Sequence, residues 1–167
     1  LEELSLELAA QMIVLGEKAS SINEARDLAR AALKSGLGLV SWRLMIEAQG
    51  GKLNYSLPNY GLPDAAIKEK ITVGKRAYVE HLDALEVGQA AMLLGAGRER
   101  LEDVIDYSVG LELLKKPGDL VEAGDTLAII HANESGRLEM ARRIFLNAYH
   151  FSDEAVEKKP LIIETIS

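Results

Sequence analysis

A glycine-rich stretch in the middle of the chain has residue types that can bind phosphate. Gly95 and Gly97 would let backbone N–H groups approach an anion, and Arg98 could hold it through two parallel hydrogen bonds. A dinucleotide fingerprint also needs a strand before the first glycine and a third glycine where Arg100 stands. An apolar helical pattern precedes Gly95, so we expect this glycine to end a helix, with a ligand-facing loop as the alternative.

Histidines and clustered carboxylates are the other groups that could do chemistry. His81, His131 and His150 are isolated in the sequence, and none has the i, i+4 spacing of a zinc-binding helix. We therefore expect surface or hydrogen-bonding roles for them. The three carboxylates of Glu102–Asp106 could bind a hard cation, but calcium-loop spacing is missing, which favours a solvated acidic loop. The sequence predicts no catalytic residue, metal or cofactor in this chain.

Two consecutive segments, Pro117–Glu122 and Ala123–Ala128, each have a Gly-Asp pair with an apolar residue two positions after the aspartate. The glycine suits a positive φ, the aspartate can bond the following backbone, and Val121 and Leu127 are expected in a core. The pattern resembles the barrel-sandwich modules of biotinyl and lipoyl carriers, whose modified lysine follows the second pair. Ile130–Ser135 occupies that place without a lysine, which disfavours a carrier role but leaves a shared β-architecture as the expectation.

Helical patterns fill the start of the chain. Apolar residues recur at helical spacing over Glu2–Lys18, and a capping box at Ser21–Glu24 begins a second helix that extends to about Lys34. Gly36 fits the left-handed end of that helix, and a third helix is predicted over Val40–Ala48. The first helix is apolar on more than one side, as is typical of a helix buried between layers.

The order of elements predicts an α+β fold, because all early helices precede the strands. We divide the chain into a helical part of a larger mixed α/β domain (1–51), a linker (52–65) and a β-rich C-terminal subdomain (66–167) that resembles a barrel-sandwich hybrid. The elements predicted after the linker are a hairpin or meander of strands near Ile67–Val73 and Ala77–Leu82, a helix over Leu85–Leu94, strands over Val109–Leu114, Thr126–Ala132 and Leu161–Ile166, and a helix over Leu138–Phe151 with Met140, Ile144, Phe145 and Ala148 inward.

Composition excludes several classes of function. The 167 residues carry a net charge of −7 and 5% aromatic residues, which argues against nucleic-acid binding. Cysteine is absent, and we find neither a signal-peptide pattern nor an apolar run of about 18 residues. We therefore expect a cytoplasmic protein with no membrane partner.

Six collinear blocks resemble the pyrimidine nucleoside and thymidine phosphorylases, and together they extend over nearly the whole chain. The blocks are Glu17–Ser21, Ile46–Gly51, Ala90–Arg98, Glu102–Gly110, Lys115–Asp119 and Ile130–Asn133. The resemblance is to the C-terminal portion of that family. It implies a homodimeric, cytoplasmic pentosyltransferase (glycosyltransferase) of pyrimidine metabolism, in which a small helical domain and a mixed α/β domain close a cleft on pyrimidine nucleoside and phosphate.

The resemblance also implies where the chemistry lies. In that family the glycine-serine phosphate loop, the base-contacting histidine, the arginine-lysine pair and the monovalent-cation ligands belong to the N-terminal portion, and none of these motifs is found in this sequence. Phosphate would be the co-substrate, and a monovalent cation would be bound outside this chain. The loop Gly97–Arg100 is the candidate for contacting the cleft, with Gly97 and Arg98 as its candidate contact residues.

We therefore predict the structural C-terminal part of a pyrimidine nucleoside phosphorylase, inactive by itself. The alternative is an independent, non-catalytic interaction module of the same architecture. Because the sequence opens within an apolar helical pattern, we expect Leu1 to be an internal start. The apolar residues of the first helix should then be exposed and promote association, namely Leu4, Leu8, Met12 and Leu15.

Overall fold

A computed structural model describes residues 1–98 and 100–166, which have a mixed α+β fold. The chain forms two compact units. The helical unit comprises Leu1–Gly61 and the described part of the tail from Pro160, and the β-rich unit comprises Leu62–Lys159. No described helix combines the length and apolar character needed to cross a membrane.

The helical unit contains α1 (Glu2–Leu15), α2 (Ile22–Lys34) and α3 (Leu37–Ala48). Small residues let α1 and α2 pack closely, since the buried side chains here are Ala10, Ala25 and Ala29. A bidentate ion pair joins the same two helices, with Arg26 Nε 2.7 Å from Glu7 Oε2 and Arg26 Nη2 2.8 Å from Glu7 Oε1.

Large apolar residues of α1 are exposed, as the sequence predicts. The exposed fraction is 36% for Leu4 and rises through Leu8 and Met12 to 82% for Leu15. The core of this unit is therefore built largely from alanine, and most of the larger side chains lie on its surface.

Local capping signals set the helix boundaries. Ser21 Oγ accepts a hydrogen bond from Glu24 N, as a capping box requires, but the Glu24 carboxylate accepts from Ser20 N and Ser20 Oγ rather than from Ser21 N. Gly36 adopts φ 75° and serves both to end α2 and to begin α3. The third helix consequently begins at Leu37 and not at the predicted Val40.

The β-rich unit has two three-stranded antiparallel sheets. One has the order β1 (Ile67–Thr72), β5 (Thr126–Ala132), β3 (Gly110–Leu113), and the other has β4 (Leu120–Val121), β2 (Ala77–Leu82), β6 (Tyr149–Ser152). Two helices, α4 (Ala84–Ala91) and α5 (Ser135–Ala148), complete it. The described residues form no closed barrel. One core contains side chains from both sheets and both helices, and its largest fully buried members are Phe145, Leu127, Ile130, Val79 and Val121.

The first Gly-Asp turn is bonded to β2. Gly118 N donates to Val79 O at 2.7 Å, and Val79 N donates to Asp119 O at 2.9 Å. The Asp119 carboxylate accepts from the backbone of Lys116, three residues earlier, and pairs with Lys158. The predicted positive φ of the glycine is confirmed at 87°, whereas the predicted bond from the aspartate to the following backbone is wrong.

The second Gly-Asp turn repeats this arrangement six residues later in the chain. Gly124 N donates to Val73 O at 2.8 Å, and Val73 N donates to Asp125 O at 3.0 Å. Asp125 accepts from Glu122 N and pairs with Lys115. Because Val73 lies six residues before the strand residue bonded by the first turn, the sequence echo corresponds to a structural repeat.

These turns explain why the predicted β1–β2 hairpin is wrong. Val73 and Val79 each bond a different turn, so the chain passes from one sheet to the other between them, and β1 pairs with β5 instead. Such pairings depend on residues distant in the chain.

Three further predictions are wrong. The last helix ends at Ala148, and Tyr149–Ser152 forms β6 because the Tyr149 ring is drawn into the core. Met140, predicted inward, is half exposed. Leu161–Ile166 has no strand: Ile163 and Ile166 are about nine-tenths exposed, so this apolar run has no sheet beside it.

Tyr149 supplies a test of this packing. The residue is 6% exposed, its hydroxyl donates to Lys115 O at 2.9 Å, and burial raises its pKa to about 12. Tyr149→Phe should lower the free energy of unfolding by about 1 kcal/mol at neutral pH, because it removes this hydrogen bond. Tyr107→Phe, at a tyrosine that is 80% exposed, should have little effect in the same urea titration.

The raised pKa gives the same residue a pH signature. A group whose folded pKa lies above its unfolded value of about 10 stabilises the protein fully below pH 10 and loses that contribution as pH rises towards 12. Urea titrations at increasing alkaline pH should therefore show a flatter decline for Tyr149→Phe than for wild type. Equal declines in both proteins would contradict the packing described for this ring.

Candidate functional site

The glycine loop, Gly95–Arg98, follows directly from α4. Asp83 begins this helix by accepting hydrogen bonds from Leu85 N and Glu86 N, and Ala90 is buried in its last turn. A wider helical turn then covers Met92–Ala96, within which Gly95 takes φ 106°. The backbone therefore leaves the helix at this glycine, as predicted.

The two candidate cleft residues, Gly97 and Arg98, have different surroundings. Gly97 has an extended backbone and lines a cavity, whereas Arg98 is exposed. Arg100 N donates to Asp103 Oδ2 at 2.9 Å. Glu99, which the predicted cleft loop includes, lies outside the described residues.

The cavity beside the glycine loop has a volume of about 470 Å³. Its walls combine apolar side chains with one carboxylate, one guanidinium and the two glycines. Such a lining could hold a small ring against the apolar wall and an oxyanion against the guanidinium. The lining residues are Met92, Leu93, Gly95, Gly97, Asp103, Val104, Arg137 and Met140.

Arg137, in the first turn of α5, brings positive charge to this cavity. Its Nε lies 3.3 Å from Glu134 Oε2, and its Nη1 lies 3.5 Å from the position that a Cβ would take on Gly95. Its charge also helps to lower the pKa of Asp106. Sequence reasoning missed this arginine because no spacing signal links a residue of α5 to a loop forty positions earlier.

Asp106 ties the glycine loop to the sheet. Its backbone N–H donates to Gly95 O at 2.9 Å, and its carboxylate accepts from Ser108 Oγ at 2.6 Å, Ser108 N at 2.9 Å and Asn133 Nδ2 at 2.7 Å. The Ser108 hydroxyl is the main cause of a lowered pKa for Asp106. The ionised carboxylate therefore stabilises this turn, and its contribution is lost as pH falls through the folded pKa.

Asn133 extends the same network to the beginning of β1. Its Oδ1 accepts from Ala66 N at 2.9 Å, and its Nδ2 donates to Asp106 and to Ser108 Oγ at 2.8 Å. One side chain at the end of β5 thus connects the backbone before β1 with the turn that holds the glycine loop.

The acidic residues of this region act in turns, and the described residues include no cluster of three or more histidine, cysteine or acidic side chains placed to hold a metal ion.

The histidines are distributed over the two sheets. His131 Nε2 lies 3.8 Å from Glu112 Oε2 across the β3–β5 pair. His81 and His150 are isolated in sequence but face each other on neighbouring strands. The sequence gives no signal for this pairing.

Comparison with known proteins agrees with the resemblance found in the sequence. Residues 78–152 match the family described as pyrimidine nucleoside phosphorylase C-terminal domain. A pyrimidine-nucleoside phosphorylase of Staphylococcus haemolyticus (strain JCSC1435) is 36% identical over 157 residues, which cover 94% of this chain and 34% of the relative. The pyrimidine-nucleoside phosphorylase of Bacillus subtilis (strain 168) is 37% identical over 166 residues, or 99% of this chain and 38% of the relative.

This chain is homologous to the C-terminal portion of the pyrimidine nucleoside phosphorylases. The predicted resemblance is thereby confirmed. The chain spans about a third of the length of the curated relatives it matches. The glycine loop and the Asp106–Asn133 network both fall inside residues 78–152, which match the family.

Gly95 should tolerate a side chain poorly because of its backbone conformation. A Cβ would meet its nearest atoms at 3.5 Å or more, so the expected cost comes from φ 106° and not from a clash. Gly95→Ala should lower the free energy of unfolding by about 1–3 kcal/mol in urea titrations followed by circular dichroism.

Gly97→Ala is the matched control for that substitution. Its φ of −139° is accessible to alanine, and a Cβ would meet Met92 at 3.4 Å. The change should stay within about 0.5 kcal/mol. Similar losses for both variants would contradict the role assigned to the positive φ.

Asn133→Ala should loosen both ends of the network. We expect a loss of about 1 kcal/mol in stability and faster hydrogen exchange at the amides of Ala66 and Ser108, measured by NMR. Asn133→Asp keeps an acceptor for Ala66 but sets a carboxylate against Asp106, so only the Ser108 amide should lose protection. Unchanged exchange at Ala66 in Asn133→Ala would disprove the connection, and Asn147→Ala, on the exposed face of α5, serves as control.

Proposed function

We propose that this chain is the C-terminal part of a pyrimidine nucleoside phosphorylase, which converts a pyrimidine nucleoside and phosphate into the base and a sugar 1-phosphate. The observation that carries the proposal is similarity over 94% and 99% of this chain to relatives named pyrimidine-nucleoside phosphorylase. A cytoplasmic location and a homodimeric complete enzyme stay predictions.

The chain's proposed contribution is structural. Phosphorolysis requires phosphate to be held for attack on the sugar carbon while the departing base is stabilised, which is mainly a matter of positioning and electrostatics. We assign phosphate, nucleoside and any monovalent cation to residues outside this chain. The β-rich unit would present the glycine loop to the cleft, with Gly97 and Arg98 as its contacting residues.

The packing of the β-rich unit supports this scaffold role. The loop follows a helix whose last turn buries Ala90, and the Asp106 N–H donates to the loop's own carbonyl at Gly95. The repeated Gly-Asp turns also support a relationship of this unit to barrel-sandwich architectures. A loop held at its base and free at Arg98 is suited to contact a closing cleft.

The exposed face of the helical unit supports a role within a longer polypeptide. Leu8, Met12 and Leu15 expose most of their surface, and an apolar groove of about 520 Å³ lies along α1 and α2. The relatives are about three times as long as this chain. We propose that this face packs against the additional polypeptide that the relatives possess.

A chimaera tests the proposal directly. In it, this chain replaces the aligned segment of the Bacillus subtilis relative, and phosphorolysis of uridine and thymidine is measured with phosphate. We expect turnover from the chimaera and none from the 167-residue chain alone, because the chain lacks the phosphate-binding motifs.

Two outcomes would contradict the proposal. Robust turnover by the chain alone would show that it carries its own reaction centre. A folded chimaera that binds phosphate and nucleoside but does not react would show that this chain cannot serve as the C-terminal part. The unmodified Bacillus subtilis relative, assayed in parallel, provides the reference rate.

A further inference from the structure

Two of the three histidines form a cross-strand pair on the second sheet. His81 of β2 lies directly opposite His150 of β6 in the antiparallel register. On either side of this pair, Val79 faces Phe151 and Leu82 faces Tyr149. Both imidazoles are on exposed residues, so the pair is open to solvent.

A β-bulge creates the pairing. The register shifts between Val79 and His81, which leaves Glu80 as the extra residue of β2. Val79 is fully buried and Leu82 is partly buried, whereas Glu80 and His81 are both exposed. The bulge therefore adds a second outward-facing position to β2, and His81 occupies that position opposite His150.

The distance between the two rings suits a shared metal ion. Their centroids lie 5.8 Å apart, with the ring planes inclined by 36°. Two imidazoles that bind one ion in tetrahedral geometry, with bonds of about 2.0–2.1 Å, have ring centroids roughly 5 Å apart. A shared ion would therefore require the two exposed side chains to turn towards each other.

Charged groups of both signs lie beside the pair. Asp83 follows His81 by two residues, and its carboxylate accepts hydrogen bonds from Leu85 N and Glu86 N. Glu80 is adjacent to His81, and the chain carries a net charge of −7. Lys116, Lys158 and Lys159 line the same hollow as Glu80 and His81, so the imidazole nitrogens, and not the charge of this face, would supply the affinity for a divalent ion.

We propose that His81 and His150 form a surface site for a divalent transition-metal ion of the nickel, copper and zinc class. Imidazole nitrogens suit these ions better than they suit magnesium or calcium. The two imidazoles would bind the ion directly, and water would complete its coordination. This site is independent of the proposed phosphorolysis and would join β2 to β6.

Calorimetric titration of the untagged 167-residue chain tests the site. We expect one Ni²⁺ per chain, tighter binding of Cu²⁺ than of Ni²⁺, and no binding of Mg²⁺ under the same conditions. The electron paramagnetic resonance spectrum of bound Cu²⁺ should show coupling to nitrogen. Absence of Ni²⁺ and Cu²⁺ binding, or a site that prefers Mg²⁺, would overturn the proposal.

Substitutions locate the site on the chain. His81→Ala and His150→Ala should each weaken Ni²⁺ binding at least about tenfold, because each removes the second contact to an ion already held by the first. His131→Ala is the matched control, because His131 lies on the other sheet beside Glu112. The Ni²⁺ affinity of the His131→Ala variant should equal that of wild type.

A stability readout separates binding from misfolding. Saturating Ni²⁺ should raise the Tm of wild type and of His131→Ala, but not that of His81→Ala or His150→Ala. His81→Gln and His150→Gln repeat the test with side chains closer in size. Ni²⁺ affinity that survives in all four variants at positions 81 and 150, or that falls equally in His131→Ala, would overturn the assignment.

Discussion

The β-rich unit depends on two backbone clamps. At each clamp a Gly-Asp turn exchanges two hydrogen bonds with one valine, Val79 of β2 in the first and Val73, the residue after β1, in the second. The two clamped residues belong to opposite sides of a crossing between sheets, so the clamps fix where the chain leaves one sheet for the other. Both sheets then contribute to a single core around Phe145. The glycine loop and the Asp106 network are built on this frame.

Local chemistry made much of the fold predictable. Ser21 indicates a helix start because its hydroxyl can accept an early backbone N–H, and Gly36 indicates a helix end because glycine can adopt a positive φ. The repeated Gly-Asp pair predicts tight turns followed by buried apolar residues. Thr126–Ala132 is long and apolar, so its strand was predicted at the boundaries observed. Strand pairing was not predictable in this way, because hydrogen bonds between β1 and β5 join residues about sixty positions apart. The apolar spacing of α5 continues to Tyr149, so the sequence predicts a longer helix. Only the burial of the Tyr149 ring in the core explains why the chain changes to a strand at this residue.

The candidate site was predictable only as a loop. Gly97 and Arg98 are residue types that can bind an anion through a backbone N–H and a guanidinium. The family resemblance indicates the kind of enzyme in which such a loop occurs. The groups that hold the loop come from elsewhere in the chain, with Asn133 at the end of β5 and Arg137 in α5. Their part in the site depends on tertiary packing and leaves no local signature. The same applies to the histidine pair, which requires a bulge that the sequence does not announce.

The β-rich unit is stabilised by its own core, whereas the helical unit exposes large apolar side chains that we propose to pack against further polypeptide. Native-state hydrogen exchange of the whole chain, followed by NMR with increasing denaturant, tests this most directly. The amides of Val73, Val79, Gly118 and Gly124 should exchange only through global unfolding of their unit, while those of α1 should exchange through openings of lower free energy. Protection of α1 equal to or greater than that of the four clamp amides would contradict it.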